Sequence, residues 1–159
     1  MLTLSKLINN TPEQIVLNSR NVTGRVLKSY WDVDNEGKEH RKIMIRAKDI
    51  VTRNPPKTLV LSIYGTERDI TKNKAWVYCN CEYFKFYLEV ALSLRGSSSI
   101  IEATKQLPVN NNPRLTPYLC KHILSAIPQI RRLKFDRSLT PTEKELRDPT
   151  LRSLKDFIP

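Results

Sequence analysis

Cys79-Asn80-Cys81 and Cys120-Lys121-His122 gather all three cysteines and one of the two histidines of this 159-residue chain into two tight pairs. Thiolate and imidazole are the donors that zinc prefers, and a Cys3His set fills the four-coordinate shell of a structural site. Zn–S bonds of about 2.3 Å in a tetrahedron put neighbouring sulfurs roughly 3.7 Å apart, so each pair must be brought in closely by its backbone. The alternative is three buried free thiols and a surface histidine. An odd cysteine count and thiols only two residues apart argue against a disulfide framework. The spacing predicts one structural Zn2+ held by Cys79, Cys81, Cys120 and His122.

The positioning elements follow from those demands. Lys74-Ala75-Trp76-Val77-Tyr78 is β-prone and runs into Cys79, so the first pair sits at the turned end of a strand, where residues i and i+2 point the same way. Asn80 tolerates the tight backbone of such a knuckle. The second pair precedes Ile123-Leu124-Ser125-Ala126-Ile127, a helical pattern that Pro128 is expected to interrupt. Residues i and i+2 of a regular helix point about 200° apart and cannot converge on one ion. The helix should therefore start at Cys120, with Cys120 as its cap and His122 in the first turn. His40 belongs to a polar stretch, Asp34 to His40, and is expected to be solvated.

The pattern Cys-x-Cys…Cys-x-His resembles the SWIM-type zinc finger, whose ligands Cys79, Cys81, Cys120 and His122 match position by position. The resemblance covers residues 74–128, and the 38 residues between Cys81 and Cys120 make a longer spacer than is usual for SWIM modules. SWIM modules are associated with DNA binding and protein–protein contacts, so the resemblance implies binding more than catalysis. The longer string CNCEYFKFYLEVAL…NPRLTPYLCKHIL is similar to small zinc-finger proteins of tailed bacteriophages.

Hydrophobic content of 40% and charged content of 27% describe a globular chain able to bury one core. No apolar run approaches a membrane span, and Met1 to Lys6 lacks the apolar region of a secretory signal. Synthesis in a reducing cytoplasm and no membrane association are the expectations. The net charge of +11 is dispersed along the chain, which suits contact with polyanions such as nucleic acid or acidic protein surfaces.

The remaining pattern predicts an α+β fold: a small antiparallel sheet or open barrel, then a zinc-stapled two-helix SWIM-like finger, then a short helical C-terminal arm. Residues 1–20 form an N-terminal helical segment in which Thr11-Pro12-Glu13-Gln14 reads as a capping box. Residues 21–73 are β-rich, with a hairpin of Asn21–Val33 and Arg41–Ile50 and a third strand at Thr58–Tyr64. Lys42, Arg46 and Lys48 alternate with Ile43, Ile45 and Ala47, so one face of the second arm is basic. In the module 74–130, Glu82–Leu94 is apolar on every side and predicts a buried helix closed by Gly96. Its aromatic cluster reads as core rather than as a stacking platform. The arm 131–159 carries short amphipathic pieces, with Leu151, Leu154 and Phe157 or Ile158 on one stripe for docking.

Four glycines make no phosphate loop, there is no GxSxG or HExxH, and four protein ligands close the zinc shell, so no enzyme is expected. Two readings follow. The first is a structural and assembly protein of a tailed-phage virion (neck, tail or baseplate), which contacts other virion subunits through the arm and termini. The second is a SWIM-type nucleic-acid binder, for which Lys42, Arg46, Lys48, Arg131, Arg132 and Lys134 should share one open surface.

Overall fold

Two long β-prone runs meet across a turn that the sequence closes by itself. β1 (Val22–Val33) and β2 (Glu39–Asp49) pair antiparallel. The Asp34 carboxylate accepts from the backbone N–H groups of Glu36 and Lys38, each at 2.9 Å, and Gly37 supplies the positive φ of 77°. β3 (Lys57–Tyr64) and β4 (Lys74–Cys79) then add in sequence order, giving an open four-stranded antiparallel sheet, β1-β2-β3-β4. The computed structural model describes residues 1–99, 110 and 112–133. The pieces at 140–159, including the stripe Leu151, Leu154, Phe157 and Ile158, lie outside the described residues, as does Lys134.

Helices cover the sheet and its ends. α1 (Leu4–Asn9) starts on Thr3, whose hydroxyl accepts from the N–H of Lys6, and buries Leu4 and Leu7. Thr3 also bridges to Lys74, and the carbonyl of Leu2 accepts from Ala75, so the N-terminal residues cover the free edge of β4. α2 (Glu13–Ser19) follows, but without the predicted capping box. The Thr11 hydroxyl instead donates to the Leu7 carbonyl and accepts from the N–H of Leu119, while Gln14 donates to Asn18. A residue with a strong local use has been taken for a contact 108 positions away.

The Glu82–Leu94 segment is helical but not uniform. A π-helical turn at Phe84–Leu88 leads into α3 (Glu89–Ser93), and the Glu89 N–H bonds the Phe84 carbonyl. Phe84, Leu88 and Leu92 are buried, whereas Phe86 is 45% and Leu94 66% exposed, so the expectation of burial on every side is corrected. Gly96 ends the segment as predicted, with φ of 65°. The Gly96 N–H reaches the Ser93 carbonyl and that of Ser97 reaches the Leu92 carbonyl, a Schellman pattern.

α4 (Lys121–Arg132) lies against β1 and β2 and continues through Pro128, against expectation. Proline inside a helix costs about 3 kcal/mol by removing a donor and crowding the preceding turn. Here anchors on both sides hold the helix onto the sheet: Ile127 and Ile130 are buried, and Gln129 bonds β1 directly. The Gln129 amide donates to the Gly24 carbonyl at 2.8 Å and accepts from the Val26 N–H at 2.9 Å, beside the register shift between Val26 and Lys28. The helix passes so near that a Cβ on Gly24 would lie 2.6 Å from the Ser125 hydroxyl and 2.9 Å from the Ala126 nitrogen. Gly24→Ala is therefore expected to lower stability by about 1–3 kcal/mol, read from urea denaturation.

The core lies between α4 and the face of the sheet that carries Ile43, Ile45, Ala47, Leu59, Leu61, Ile63, Ala75 and Val77, all buried. Val60, Trp76 and Tyr78 on the second face are buried as well. That explains two departures on β2. Lys42 was read as part of a basic face, and Met44 alternates with it on that face, yet both are buried. Lys42 Nζ meets Asp32 Oδ2 at 2.6 Å. Burial works to raise the Asp32 carboxyl, but the hydrogen bond and charge of Lys42 outweigh it and hold it below the usual carboxylate range.

Candidate metal centre

The end of β4 and the start of α4 converge at one corner of the sheet. Cys79 is the last residue of β4, opposite Leu59. Asn80 prolongs the pairing beyond the strand: its N–H reaches the Thr58 carbonyl at 3.2 Å and its side-chain oxygen accepts from the Thr58 N–H at 2.9 Å. The chain then turns, and Cys81 Sγ accepts from the N–H of Phe84 at 3.3 Å, an N-cap made by sulfur. Cys120 occupies the cap position of α4 in extended geometry, with φ of −75° and ψ of 162°, and His122 lies in the first turn. The predicted helix start is the observed one. Two helix N-termini thus face the same pocket, and their partial positive charge favours thiolate.

The three sulfurs and an imidazole nitrogen all lie within 4.8 Å of one another, and all four residues are buried. The cysteines are free thiols, not a disulfide. His122 Nδ1 is buried without a hydrogen-bond partner among the described residues. Left to the protein groups alone, burial pushes the thiols of Cys79 and Cys120 well up. Hydrogen bonds from Cys120 and then Cys79 draw Cys81 far down. Three thiolates buried this closely require a compensating cation. Donor types, separation and burial therefore fit one metal ion, and the thiolate-rich set favours zinc.

Further contacts fix the two halves of the site against each other. The Tyr83 and Tyr118 hydroxyls share a hydrogen bond of 2.8 Å, and Tyr83 stacks on Tyr87 with ring centres 4.4 Å apart. Buried Asn112 donates to the carbonyls of Tyr87 and Thr116 and so shapes the approach to α4. Lys121 pairs with Asp49 at the end of β2. The Lys121 hydrogen bond, ahead of the backbone donors Val51 and Thr52, holds the Asp49 carboxyl below its ordinary value. The sequence alone showed neither this ion pair nor the Asn80–Thr58 pairing, because both depend on strand register.

His40 is not solvated. It is fully buried, stacks on Tyr64 with ring centres 4.9 Å apart, and burial above all holds its imidazole below the ordinary value. It is the second residue of β2, at the end of the polar stretch, and no other signal in the sequence marks it.

The basic residues named from sequence do not share one surface. Arg46 and Lys48 are exposed on the face of the sheet away from α4, Lys42 is buried, and Arg131 and Arg132 end α4 on the opposite side. Arg25 and Arg53, which sequence reasoning missed, join Arg46 and Lys48 along an open trough of about 820 Å³. The hairpin register was the signal for Arg25, since it stands directly opposite Arg46. No family model, curated protein or solved structure matches the chain.

Proposed function

We propose that the chain is a non-enzymatic structural and assembly protein of a tailed-phage virion, stapled by one zinc ion in the manner of a SWIM finger. The observation that carries this reading is the closed, buried set Cys79, Cys81, Cys120 and His122, shared between a strand end and a helix start. Four protein donors fill a tetrahedral shell and leave no position for substrate or activated water, which favours a structural role over a catalytic one. Three free buried thiols suit synthesis in a reducing cytoplasm. The phage-like string around both ligand pairs and the apolar stripe at Leu151, Leu154, Phe157 and Ile158 support docking onto other virion subunits. The test is sedimentation of lysates from cells producing the phage, followed by protein and metal mass spectrometry. Co-sedimentation of the chain with intact particles at one zinc per copy supports the reading. A chain found only in the soluble fraction refutes the virion placement.

A second reading, a nucleic-acid binder of the SWIM kind, draws support from the basic trough on the sheet.

A further inference from the structure

We infer that the trough formed by Arg25, Arg46, Lys48 and Arg53 binds the phosphate backbone of double-stranded nucleic acid without reading its bases. It rests on the second reading for its ligand class and is independent of the zinc site and of the virion placement. All four side chains are exposed, and none pairs with a carboxylate among the described residues. The one acidic residue in the trough, Asp49, is already engaged by Lys121. Arg25 and Arg46 face each other directly across the β1–β2 ladder. Like charges at such a position are unfavourable, and neither arginine forms an ion pair with a carboxylate among the described residues. An external polyanion would offset the repulsion.

The absence of aromatic rings from the trough decides which polyanion. Leu27 and Ile50 are 46% and 68% exposed, and no aromatic side chain lines the trough. Single strands gain much of their affinity by stacking bases on aromatic rings, which this surface does not offer. A duplex presents two phosphates for every 3.4 Å of its axis, the densest target for a cluster of cations, and its backbone contacts carry no sequence information.

The test uses the full chain with zinc bound and fluorescence anisotropy on a short fluorescein-labelled DNA duplex. Four phosphate contacts predict a slope of log affinity against log salt between about −3 and −4, or on the order of 100-fold between about 50 and 200 mM salt. Sequence changes in the duplex should leave the affinity unaltered. Arg25→Gln with Arg46→Gln should reduce the slope by about two while leaving zinc content and melting intact, since it removes two exposed cations and their mutual repulsion. Arg131→Gln with Arg132→Gln, on the opposite side, should change neither affinity nor slope. If that pair abolishes binding and the trough pair does not, the trough assignment falls while the nucleic-acid reading stands. If the protein binds no duplex, both fall. Tighter binding to phosphatidylserine vesicles or to poly-glutamate than to the duplex would also overturn the assignment.

Discussion

Cys79→Ser or His122→Ala should abolish zinc binding and the hydrogen-exchange protection of β4 (Lys74–Cys79) and α4 (Lys121–Arg132). Apparent binding free energies of structural zinc are about 10–16 kcal/mol, whereas the net stability of a domain is about 5–15 kcal/mol. Losing one of four ligands therefore removes a term as large as the whole margin. The remaining donors make matters worse. In Cys79→Ser the other two thiols stay buried, and His122 Nδ1 is left in the interior with no hydrogen-bond partner among the described residues. Serine keeps the shape of cysteine but offers a hydroxyl that stays protonated and binds zinc poorly, which isolates ligation from packing. The check is metal content by mass spectrometry together with hydrogen exchange. A variant that lost no metal and melted like the wild type would refute the staple.

Phe84→Ala should cost about 3–5 kcal/mol, the range for removing a fully buried aromatic side chain. Phe84 is 0% exposed and sets its ring edge-on to Tyr78 at 6.0 Å and 76°. Its backbone N–H also donates to Cys81 Sγ, so the ring anchors the residue that orients a ligand sulfur. Truncation opens a cavity between the π-helical turn and the sheet and loosens the knuckle, which predicts weaker zinc affinity in addition to lower stability. Phe84→Leu, which refills part of the volume, should lose less on both counts. Urea denaturation at saturating zinc separates the two effects. A loss below about 1 kcal/mol in Phe84→Ala would show that the site tolerates the cavity and that the ring does not support the knuckle.

Features fixed by local stereochemistry were legible in the sequence. The impossibility of i, i+2 ligation from a regular helix placed Cys120 at a cap, and α4 begins there. Gly96 ended its helix for the reason any glycine does at a left-handed position. The four strands followed from β-prone runs between turn residues. Features set by register and by remote packing were not legible. Pro128 was read as a stop because its neighbours on the sheet were invisible. Thr11 was assigned to its own helix, but its hydroxyl serves Leu119. Lys42 shares its alternation with Arg46 and Lys48, yet Asp32 and cover on the second face of the sheet take it into the interior. The three cysteines and His122 do form one cluster, as their spacing predicted, whereas the surface cations needed the hairpin register before Arg25 could be set beside Arg46.

Gln129 links the metal to the behaviour of the molecule among its copies. Its side-chain amide is chemically a peptide unit laid along the outer edge of β1, occupying the Gly24 carbonyl and the Val26 N–H. An outer strand with free donors and acceptors is a template on which strands of other molecules add. The amide occupies one carbonyl and one N–H of that template while α4 is docked, and α4 begins at two members of the Cys/His cluster. Chelation would thus do more than loosen a fold. If the cluster holds an ion, removing it would free the Gly24 carbonyl and Val26 N–H of an outer strand, so metal loss would favour association between chains as well as loosening the fold.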